Sequence, residues 1–360
     1  MFQIEKRKGD IMVLCGGYDP GFGNGKGVII GPSGSNVNVA VVPSVVGVGE
    51  TDLGMLSVGN LGRRSRRNVP DRVSFDGVTY LVGKGVSRYA RPVQRMDFLR
   101  LTDGPELRAL FYDVTFRLLG EGVHKIAFMV GLPVEIMADR EHAKGVLRAM
   151  RGWMVGEHSF VVNDEEVSLE VADVRAMAQP AGAFFAWGLD DRGKWIRDRS
   201  DLRAPVAICD IGFNTLDLFV VEGGEVIGRF TGGDTAGMRR AAEQLITRVQ
   251  GQCGVELSLH EADALARQKR PRLYTADGEA DLRSLVNQAL DSAAAGIVTF
   301  VERRWGNARQ FAHVLFTGGG ADILHDTLAR QYPHGVVLPN TVTANAVGLA
   351  RYAVRAFGRK

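Results

Sequence analysis

Short apolar runs that stop abruptly recur along the chain. Each contains four to six residues and is followed at once by a glycine or an aspartate. Apolar runs of this length, bounded by such residues, predict buried strands that end in tight turns. The four clearest are residues 11–15, 125–130, 206–209 and 313–317.

Other segments carry the signals of β-hairpins. Residues 73–83 contain Asp76-Gly77 between two arms rich in β-branched and aromatic residues, which is a strong hairpin signal. Residues 159–171 alternate in polarity, with Asn163-Asp164 at the predicted turn. Residues 37–49 are rich in Val and bounded by Gly and Pro, which also favours strand.

Between these strands, apolar residues recur at helical spacing. The clearest case runs from Pro105 to Leu119, and Gln179 stands just before a second helix that opens at Pro180. Strands that alternate with helices indicate α/β architecture. The polar, charged residues 190–204 predict a domain boundary. Further helices are predicted at residues 139–151, 235–250, 258–268, 280–305, 322–331 and 343–356.

Composition excludes several classes of protein. The chain has 360 residues, 44 Lys and Arg against 41 Asp and Glu, and 45% hydrophobic residues. These values exclude a disordered, collagen-like or histone-like chain. Three cysteines cannot form a disulfide framework, and no apolar run is long enough to span a membrane. The first ten residues lack the apolar core of a signal peptide, so we expect a cytoplasmic protein without membrane insertion.

Glycine is the one residue type in marked excess, with 45 residues, and the excess is local. Eight glycines lie in residues 16–34, seven in 210–237 and three in 318–320. A glycine loop lets backbone N–H groups approach phosphate oxygens closely. We therefore interpret these clusters as places where the backbone contacts a ligand.

Two strand ends in these clusters resemble each other. Asp19-Pro-Gly-Phe-Gly-Asn24 and Asp210-Ile-Gly-Phe-Asn-Thr215 both follow apolar strands and fit Asp-x-Gly-Phe-x-[Asn/Thr]. Two unrelated turns are the alternative, since Asp-x-Gly is common in turns. A carboxylate at each strand end can hold Mg²⁺, and Lys26 can neutralise phosphate charge. The pair predicts two hairpins that grip a polyphosphate, with neither a P-loop nor a dinucleotide motif present.

Two more glycine clusters follow predicted strands. Gly318-Gly319-Gly320 opens a helix, where a ribose or adenine can approach the backbone, although a plain strand-to-helix turn is the alternative. Thr231-Gly232-Gly233-Asp234 leads towards another helix, and Asp234 is also a candidate N-cap.

In this order the motifs resemble the five nucleotide motifs of the actin/Hsp70/sugar-kinase superfamily. The chain is most similar to the bacterial and archaeal actin-like proteins of the plasmid-segregation (ParM/StbA) type. Asp19 to Lys26 match phosphate 1, and Gln179-Pro-Ala-Gly-Ala183 matches connect 1. Asp210 to Thr215 match phosphate 2, Gly318 to Gly320 match the adenosine motif, and residues 341–352 match connect 2.

The resemblance implies two actin-like (ribonuclease H-like) α/β domains with a nucleotide cleft between them. The first would be residues 1–195, with residues 343–360 returning to it, and the second residues 196–342. Asp19 and Asp210 would position Mg²⁺, and Gln179 would orient the water for attack on the γ-phosphate. The nucleotide-binding residues implied by the motifs are Gly21, Phe22, Gly23, Asn24, Lys26, Gly212, Phe213, Asn214, Thr215, Gly232, Gly233, Gly318, Gly319 and Gly320.

The implied function is a slow ATPase, with GTP as an alternative nucleotide, that forms filaments for plasmid or DNA segregation or for intracellular organisation. Its partners would be further copies of itself and a DNA-binding adaptor protein. Two other functions stay open: a sugar or acid kinase of the same superfamily, and a nucleotide-holding scaffold with little turnover. Gln179 favours a nucleotidase, since a kinase needs a carboxylate base for its substrate hydroxyl.

Two basic segments have simpler interpretations than nucleic-acid binding. Arg63, Arg64, Arg66 and Arg67 lie in a predicted loop, where a solvated surface, a filament contact and an acidic partner are all consistent with the charge. The run from Arg267 to Arg272 follows a predicted helix and complements its dipole. Direct nucleic-acid binding is not expected.

Overall fold

The computed structural model describes residues 13–31, 34, 37–49, 69–93, 104–235 and 237–358. The chain divides into two compact units. The first comprises Met1–Leu132, Ile136–Ile196 and Ala346–Lys360, and the second comprises Pro133–Glu135 and Arg197–Asn345. The basic residues 63–67, on which a filament or acidic-partner contact was considered, lie outside the described residues.

The first unit is built on a nine-stranded sheet. Its strand order is β3-β2-β1-β7-β9-β8-β5-β6-β4, and β7 runs parallel to both β1 and β9. The strands are β1 (Leu14–Pro20), β2 (Asn24–Ile30), β3 (Val37–Pro43), β4 (Val46–Val48), β5 (Asp71–Phe75), β6 (Val78–Val82), β7 (Gly122–Leu132), β8 (Gly156–Val162) and β9 (Glu165–Ala178).

Four helices lie in this part of the chain. They are α1 (Pro105–Leu119), α2 (Val134–Ala138), α3 (Arg140–Met154) and α4 (Gln179–Gly188). Phe111 of α1 and Trp153 of α3 pack edge to face in the largest core cluster, which also holds Tyr18 and Phe128 of the sheet. Burial of these aromatic side chains supplies much of the hydrophobic stabilisation of the unit.

The second unit contains a smaller sheet. Its order is β12-β11-β10-β16-β17, with the short β13 paired to β11 and with β14–β15 as a separate hairpin. The elements are α5 (Arg199–Arg203), β10 (Val206–Ile211), β11 (Leu216–Glu222), β12 (Glu225–Val226), β13 (Gly232–Asp234), α6 (Arg239–Cys253), α7 (Leu259–Ala266), β14 (Arg272–Thr275), β15 (Gly278–Asp281), α8 (Arg283–Trp305), β16 (His313–Thr317), α9 (Gly319–Ile323), α10 (His325–Gln331) and β17 (Gly335–Val337).

The last helix, α11 (Ala344–Phe357), begins in the second unit and continues in the first. There it packs on the sheet face that carries Cys15 and Met129. Tyr352 of α11 stacks on Phe185 of α4 at a ring-centroid distance of 4.4 Å, so the two helices lie on the same face.

The predicted α/β architecture is confirmed, and the structure corrects several details. The predicted helix at 322–331 is two short helices, α9 and α10. The helix predicted to begin at 235 begins at Arg239, and Gly232–Asp234 is a strand, so Asp234 does not cap that helix. The hairpin β14–β15 was not predicted. Among the described residues, no helix is long and apolar enough to cross a membrane.

Candidate functional site

The first glycine hairpin, β1–β2, carries a buried aspartate near the end of β1, and both oxygens of its carboxylate accept hydrogen bonds. Asp19 has no exposed surface and lies opposite Lys26 in the strand ladder. Lys26 Nζ is 2.9 Å from one carboxylate oxygen, and the Gln179 side-chain amide donates to the other. The structure thus brings together three of the predicted site residues.

The turn between these strands is braced by a serine that the sequence interpretation missed. Ser44 Oγ donates to the Gly21 carbonyl at 2.6 Å, and the Ser44 N–H donates to the Gly23 carbonyl at 3.0 Å. A Cβ on Gly21 would lie 2.8 Å from the Asn24 carbonyl oxygen, so the turn requires glycine there. No local signal marks Ser44, because β3 brings it to the turn.

Gln179 lies at the junction between the strand β9 and the helix α4, and this position places its side chain next to Asp19. β9 stops at Ala178, and Gln179 is the first residue of α4. On the adjacent strand β7, a Cβ on Gly131 would lie 3.3 Å from the Gln179 Cα, so a small residue there permits the close approach.

Several glycines of the first cluster serve packing, which corrects the expectation that the cluster marks ligand contacts. A Cβ on Gly25 would lie 3.0 Å from the Leu110 side chain, and one on Gly27 would lie 2.6 Å from Val114. Both leucine and valine belong to α1. These glycines let α1 approach β2 closely, so they are explained without a ligand.

The turn of the second glycine hairpin, β10–β11, is hydrogen-bonded to the backbone at the start of α6. The Gly212 N–H donates to the Thr215 carbonyl at 2.9 Å and closes the turn. The carbonyls of Gly212 and Phe213 accept from the N–H groups of Met238 and Arg239 at 3.1 and 2.7 Å. The Phe213 ring lies nearly parallel to that of His260, with a centroid distance of 6.3 Å.

A second acid, Asp217, lies opposite Asp210 in the strand ladder and was not predicted. It is 1% exposed, and its Oδ1 accepts from the Val134 N–H at 3.3 Å. Its Oδ2 has no hydrogen-bond partner among the described residues. Burial and the neighbouring Asp210 charge raise the pKa of Asp217 to about 7. One signal was available in the sequence, since Asp217 interrupts the apolar strand Leu216–Glu222.

The adenosine motif lies directly against Asp210. Gly318 follows β16, has φ +85°, and donates its N–H to the Thr341 carbonyl at 3.1 Å. A Cβ on Gly318 would come within 3.0 Å of Asp210 Oδ1, so only glycine fits. Arg267 donates to the Gly319 carbonyl at 3.2 Å and also pairs with Asp263. The basic run after α7 thus begins with a side chain that contacts this loop.

Gly232 and Gly233 lie in β13, beside the second hairpin. Gly233 pairs with Asp217 in the ladder, and its Cβ position is 3.0 Å from Asp217 Oδ1. Arg304 Nη1 donates to the Thr231 carbonyl at 2.6 Å and lies against Gly232. In the second unit, Gly233 therefore lies next to Asp217, and Gly318 lies next to Asp210.

The carboxylates of the candidate site suit Mg²⁺ only if water and phosphate oxygens supply most of its ligands, which is the coordination that this ion prefers. In the part of the chain that the structure describes, no three His, Cys, Asp or Glu side chains are grouped to hold a metal. Mg²⁺ is commonly held by one or two carboxylates together with water and substrate phosphates. Asp19 and Asp210 are the two carboxylates that fit this pattern, and each also accepts a side-chain amide hydrogen bond, from Gln179 and from Asn345 respectively.

Comparison with protein families finds actin-related domains in both halves of the chain. Residues 17–182 match the family described as "Actin like proteins N terminal domain". Residues 208–330 match "Archaeal actin homologue MreB-like, C-terminal". No curated protein matches the chain.

Solved structures of actin-like proteins share the fold over almost the whole chain. A non-polymerisable quadruple mutant of pCBH ParM is 18% identical, with a TM-score of 0.75 over 96% of this chain and 100% of that one. Ta0583, an archaeal actin homolog, is 16% identical, with a TM-score of 0.72 over 95% and 100%. The subunit of a 15-stranded ParM filament from Clostridium botulinum is 19% identical, with a TM-score of 0.72 over 95% and 99%. The predicted two-domain actin-like fold is thereby confirmed.

Proposed function

We propose that this actin-like protein, which resembles ParM-type proteins, binds and hydrolyses ATP with Mg²⁺ and forms nucleotide-dependent filaments. Its role would be plasmid or DNA segregation, or another form of intracellular organisation, in the cytoplasm. A DNA-binding adaptor would link such a filament to its cargo.

One observation carries the proposal. Each unit contains a β-hairpin whose first strand carries a buried aspartate as its last residue but one, beside a glycine turn, at Asp19 and at Asp210. A single hairpin of this kind has ordinary explanations. Two copies, each with a carboxylate at the strand end, match the needs of phosphoryl transfer, which depends on positioning and on charge stabilisation.

Structures with the same fold supply supporting analogies. Ta0583 has been solved in complex with ADP, and Bacillus thuringiensis ParM with AMPPNP. Alp12 and the Clostridium botulinum ParM have been solved as filaments. Those properties belong to those proteins, and we carry them to this chain as a proposal.

In the first unit, the proposed roles follow from the hydrogen bonds of Asp19. The Lys26 ammonium, on the strand after the glycine turn, would contact phosphate oxygens as well as Asp19. The Gln179 amide would hold Asp19 and orient the attacking water. The backbone of Gly21, Phe22, Gly23 and Asn24 would form the phosphate cradle of this hairpin.

In the second unit, Asp210 would face the metal-bound phosphates, and Mg²⁺ would neutralise their charge when bound. Gly212, Phe213, Asn214 and Thr215 would form the second phosphate turn. Gly318, Gly319 and Gly320 would contact the adenosine, and Gly232 and Gly233 the ribose. To these we add Asp217, a buried acid that pairs with Asp210 and with Gly233 in the strand ladder.

Light scattering tests the assembly directly. On addition of Mg-ATP we expect scattering to rise above a critical protein concentration and then to fall as phosphate is released. AMPPNP should give assembly that persists, and ADP should give less. Parallel runs with Mg-GTP would show which nucleotide the protein prefers.

The matched variant is Asp210→Ala, which we expect to lose most of the phosphate release while keeping the fold. Wild-type turnover in this variant would refute the assignment of the site. Absence of any nucleotide-dependent scattering in the wild type would refute the filament proposal. Release of ADP that depends on an added sugar or acid would instead indicate the kinase.

A further inference from the structure

Thr341, in the loop before α11, and Asn345, in the first turn of α11, form hydrogen bonds with Asp210 and the residues around it. The Thr341 carbonyl accepts from the Gly318 N–H at 3.1 Å and from Thr317 Oγ1 at 3.2 Å. Four residues later, Asn345 Nδ2 donates to Asp210 Oδ2 at 2.6 Å. Asn345 and Asp210 are both buried.

This bond leaves the Asp210 side chain little freedom to rotate. One carboxylate oxygen is held by the Asn345 amide, and the other lies over Gly318, where a Cβ could not fit. A carboxylate fixed in this way can present its oxygens to a ligand without reorganising. Such partners of a ligating carboxylate orient it and tune its affinity.

The donor is an uncharged amide, which matters for the charge at the site. On Asp19, the ammonium of Lys26 lies 2.9 Å from the carboxylate and offsets its charge. The Asn345 amide orients Asp210 without adding a positive charge.

Asn345 is also the second residue of a helix whose next residues belong to the first unit. The chain passes from the second unit to the first between Asn345 and Ala346. A Cβ on Gly17 would lie within 3.0 Å of the Ala346 carbonyl and the Ala350 amide. The first turns of α11 thus contact β1 two residues before Asp19, directly after the bond to Asp210.

We propose that Asn345 is a positioning residue, which holds the Asp210 carboxylate in the orientation that binds the Mg²⁺–nucleotide complex. Through Asn345, this binding depends on the position of the first turn of α11. The inference rests on the proposed function, because it assumes that Asp210 faces a metal-bound nucleotide.

The test measures binding rather than turnover. Fluorescent N-methylanthraniloyl-ATP is bound to the full-length protein, and MgCl₂ is titrated. We expect Asn345→Ala to raise the Mg²⁺ concentration at half-saturation by about 10- to 100-fold, the usual effect of removing such a partner. Binding measured in EDTA should change much less.

Asn307→Ala is the matched control, since it makes the same substitution in the second unit at an exposed position, where the side chain accepts only from the nearby Arg309 N–H at 3.2 Å. It should titrate like the wild type. An Asn345→Ala midpoint within threefold of the wild type would overturn the inference. Absence of nucleotide binding by the wild type would instead refute the proposed function.

A swap variant, Asp210→Asn with Asn345→Asp, covers the case in which Asn345→Ala does not fold. The swap keeps an amide–carboxylate hydrogen bond between the two positions but moves the charge to position 345. We expect its thermal stability without nucleotide to stay near that of the wild type and its Mg²⁺-dependent binding to be lost. Binding equal to the wild type would show that only packing matters there, and would overturn the inference.

Discussion

Asp113 of α1 is an acid enclosed in the core of the first unit. Arg117 Nε donates to one of its oxygens at 3.1 Å, and Arg117 Nη2 donates to Asp71 of β5. Asn163, in the turn between β8 and β9, donates to Asp71 at 2.6 Å. Burial raises the pKa of Asp113 to about 8, with Arg117 opposing and Asp71 adding to the shift. The cluster joins a helix, a strand and a turn through two carboxyl groups and one guanidinium.

This cluster predicts a pH dependence of stability. Because folding raises the pKa of Asp113 from 3.8 to about 8, the folded state holds a proton that the unfolded state has lost. The free energy of unfolding should therefore fall as pH rises from about 4 to 8, by at most about 1.4 kcal/mol per pH unit from this group. Asp113→Asn should remove that slope, so its stability relative to the wild type should increase with pH.

Urea unfolding at pH 5 and pH 8.5, followed by fluorescence of the buried Trp153, measures the effect. A difference between variant and wild type that stays constant over this range would contradict the prediction. Asn is close to the protonated carboxyl group in shape, so a loss of packing cannot mimic a difference that grows with pH.

At the residue scale, the sequence was informative where the site residues are close along the chain or match a motif of the resembled superfamily, as Gln179 does. Asp19 and Lys26 are seven residues apart, and both were identified with the glycine turn between them. Ser44 and Asp217 were missed, and Asn345 was included only as part of the connect 2 match, with no contact predicted for it. Asn345 meets Asp210 across 135 residues, and no local pattern reports such a contact.

At the scale of elements, α11 and β1 approach each other through glycine. Gly17 faces the backbone of α11 at Ala346 and Ala350, so an added methyl group has no flexible side chain to displace. The same strand carries Asp19 two residues later. The packing of α11 on β1 therefore fixes the strand that presents the first candidate phosphate hairpin.

Gly17→Ala should lower the free energy of unfolding by about 1–3 kcal/mol, since the extra methyl overpacks this contact. The matched control is Gly145→Ala in the exposed part of α3, where a Cβ would meet nothing within 4 Å. That change should be stabilising by about 0.5–1 kcal/mol, because alanine favours helix. Thermal unfolding of both variants checks the pair, and equal effects in the two would refute the packing argument.

Elements were predictable where a local signal determines them. The hairpin at Asp76-Gly77 forms as predicted, and both residues have positive φ, 49° and 75°. The hairpin β14–β15 was missed because basic and acidic residues obscure its short alternation. β13 was missed because its three residues are a strand only through pairing with β11.

At the scale of the whole molecule, each unit has its own core and its own candidate hairpin. The first core collects residues of the nine-stranded sheet with α1 and α3, and the second collects β10, β11 and β16 with α6 and α8. Each candidate phosphate hairpin therefore rests on a core of its own, and the number of hairpins that one nucleotide requires can be measured.

Hydrogen exchange with mass spectrometry addresses it. If one nucleotide requires both hairpins, Mg-ATP should slow exchange at residues 14–30 and at 206–222. Asp210→Ala should then lose the protection at both places, although Asp210 lies in the second unit only. Full protection of residues 14–30 in that variant would show that the hairpins act independently.

The return of α11 to the first unit has a consequence for biosynthesis. Residues 197–345, which the ribosome must make before α11 begins to add to the first unit, comprise 149 residues. At about 5–20 residues per second, they take roughly 7–30 s to translate. During that interval the sheet face around Cys15, Val28 and Met129 lacks the part of its cover that α11 supplies. The nascent chain thus presents an apolar surface for chaperones until its last helix emerges.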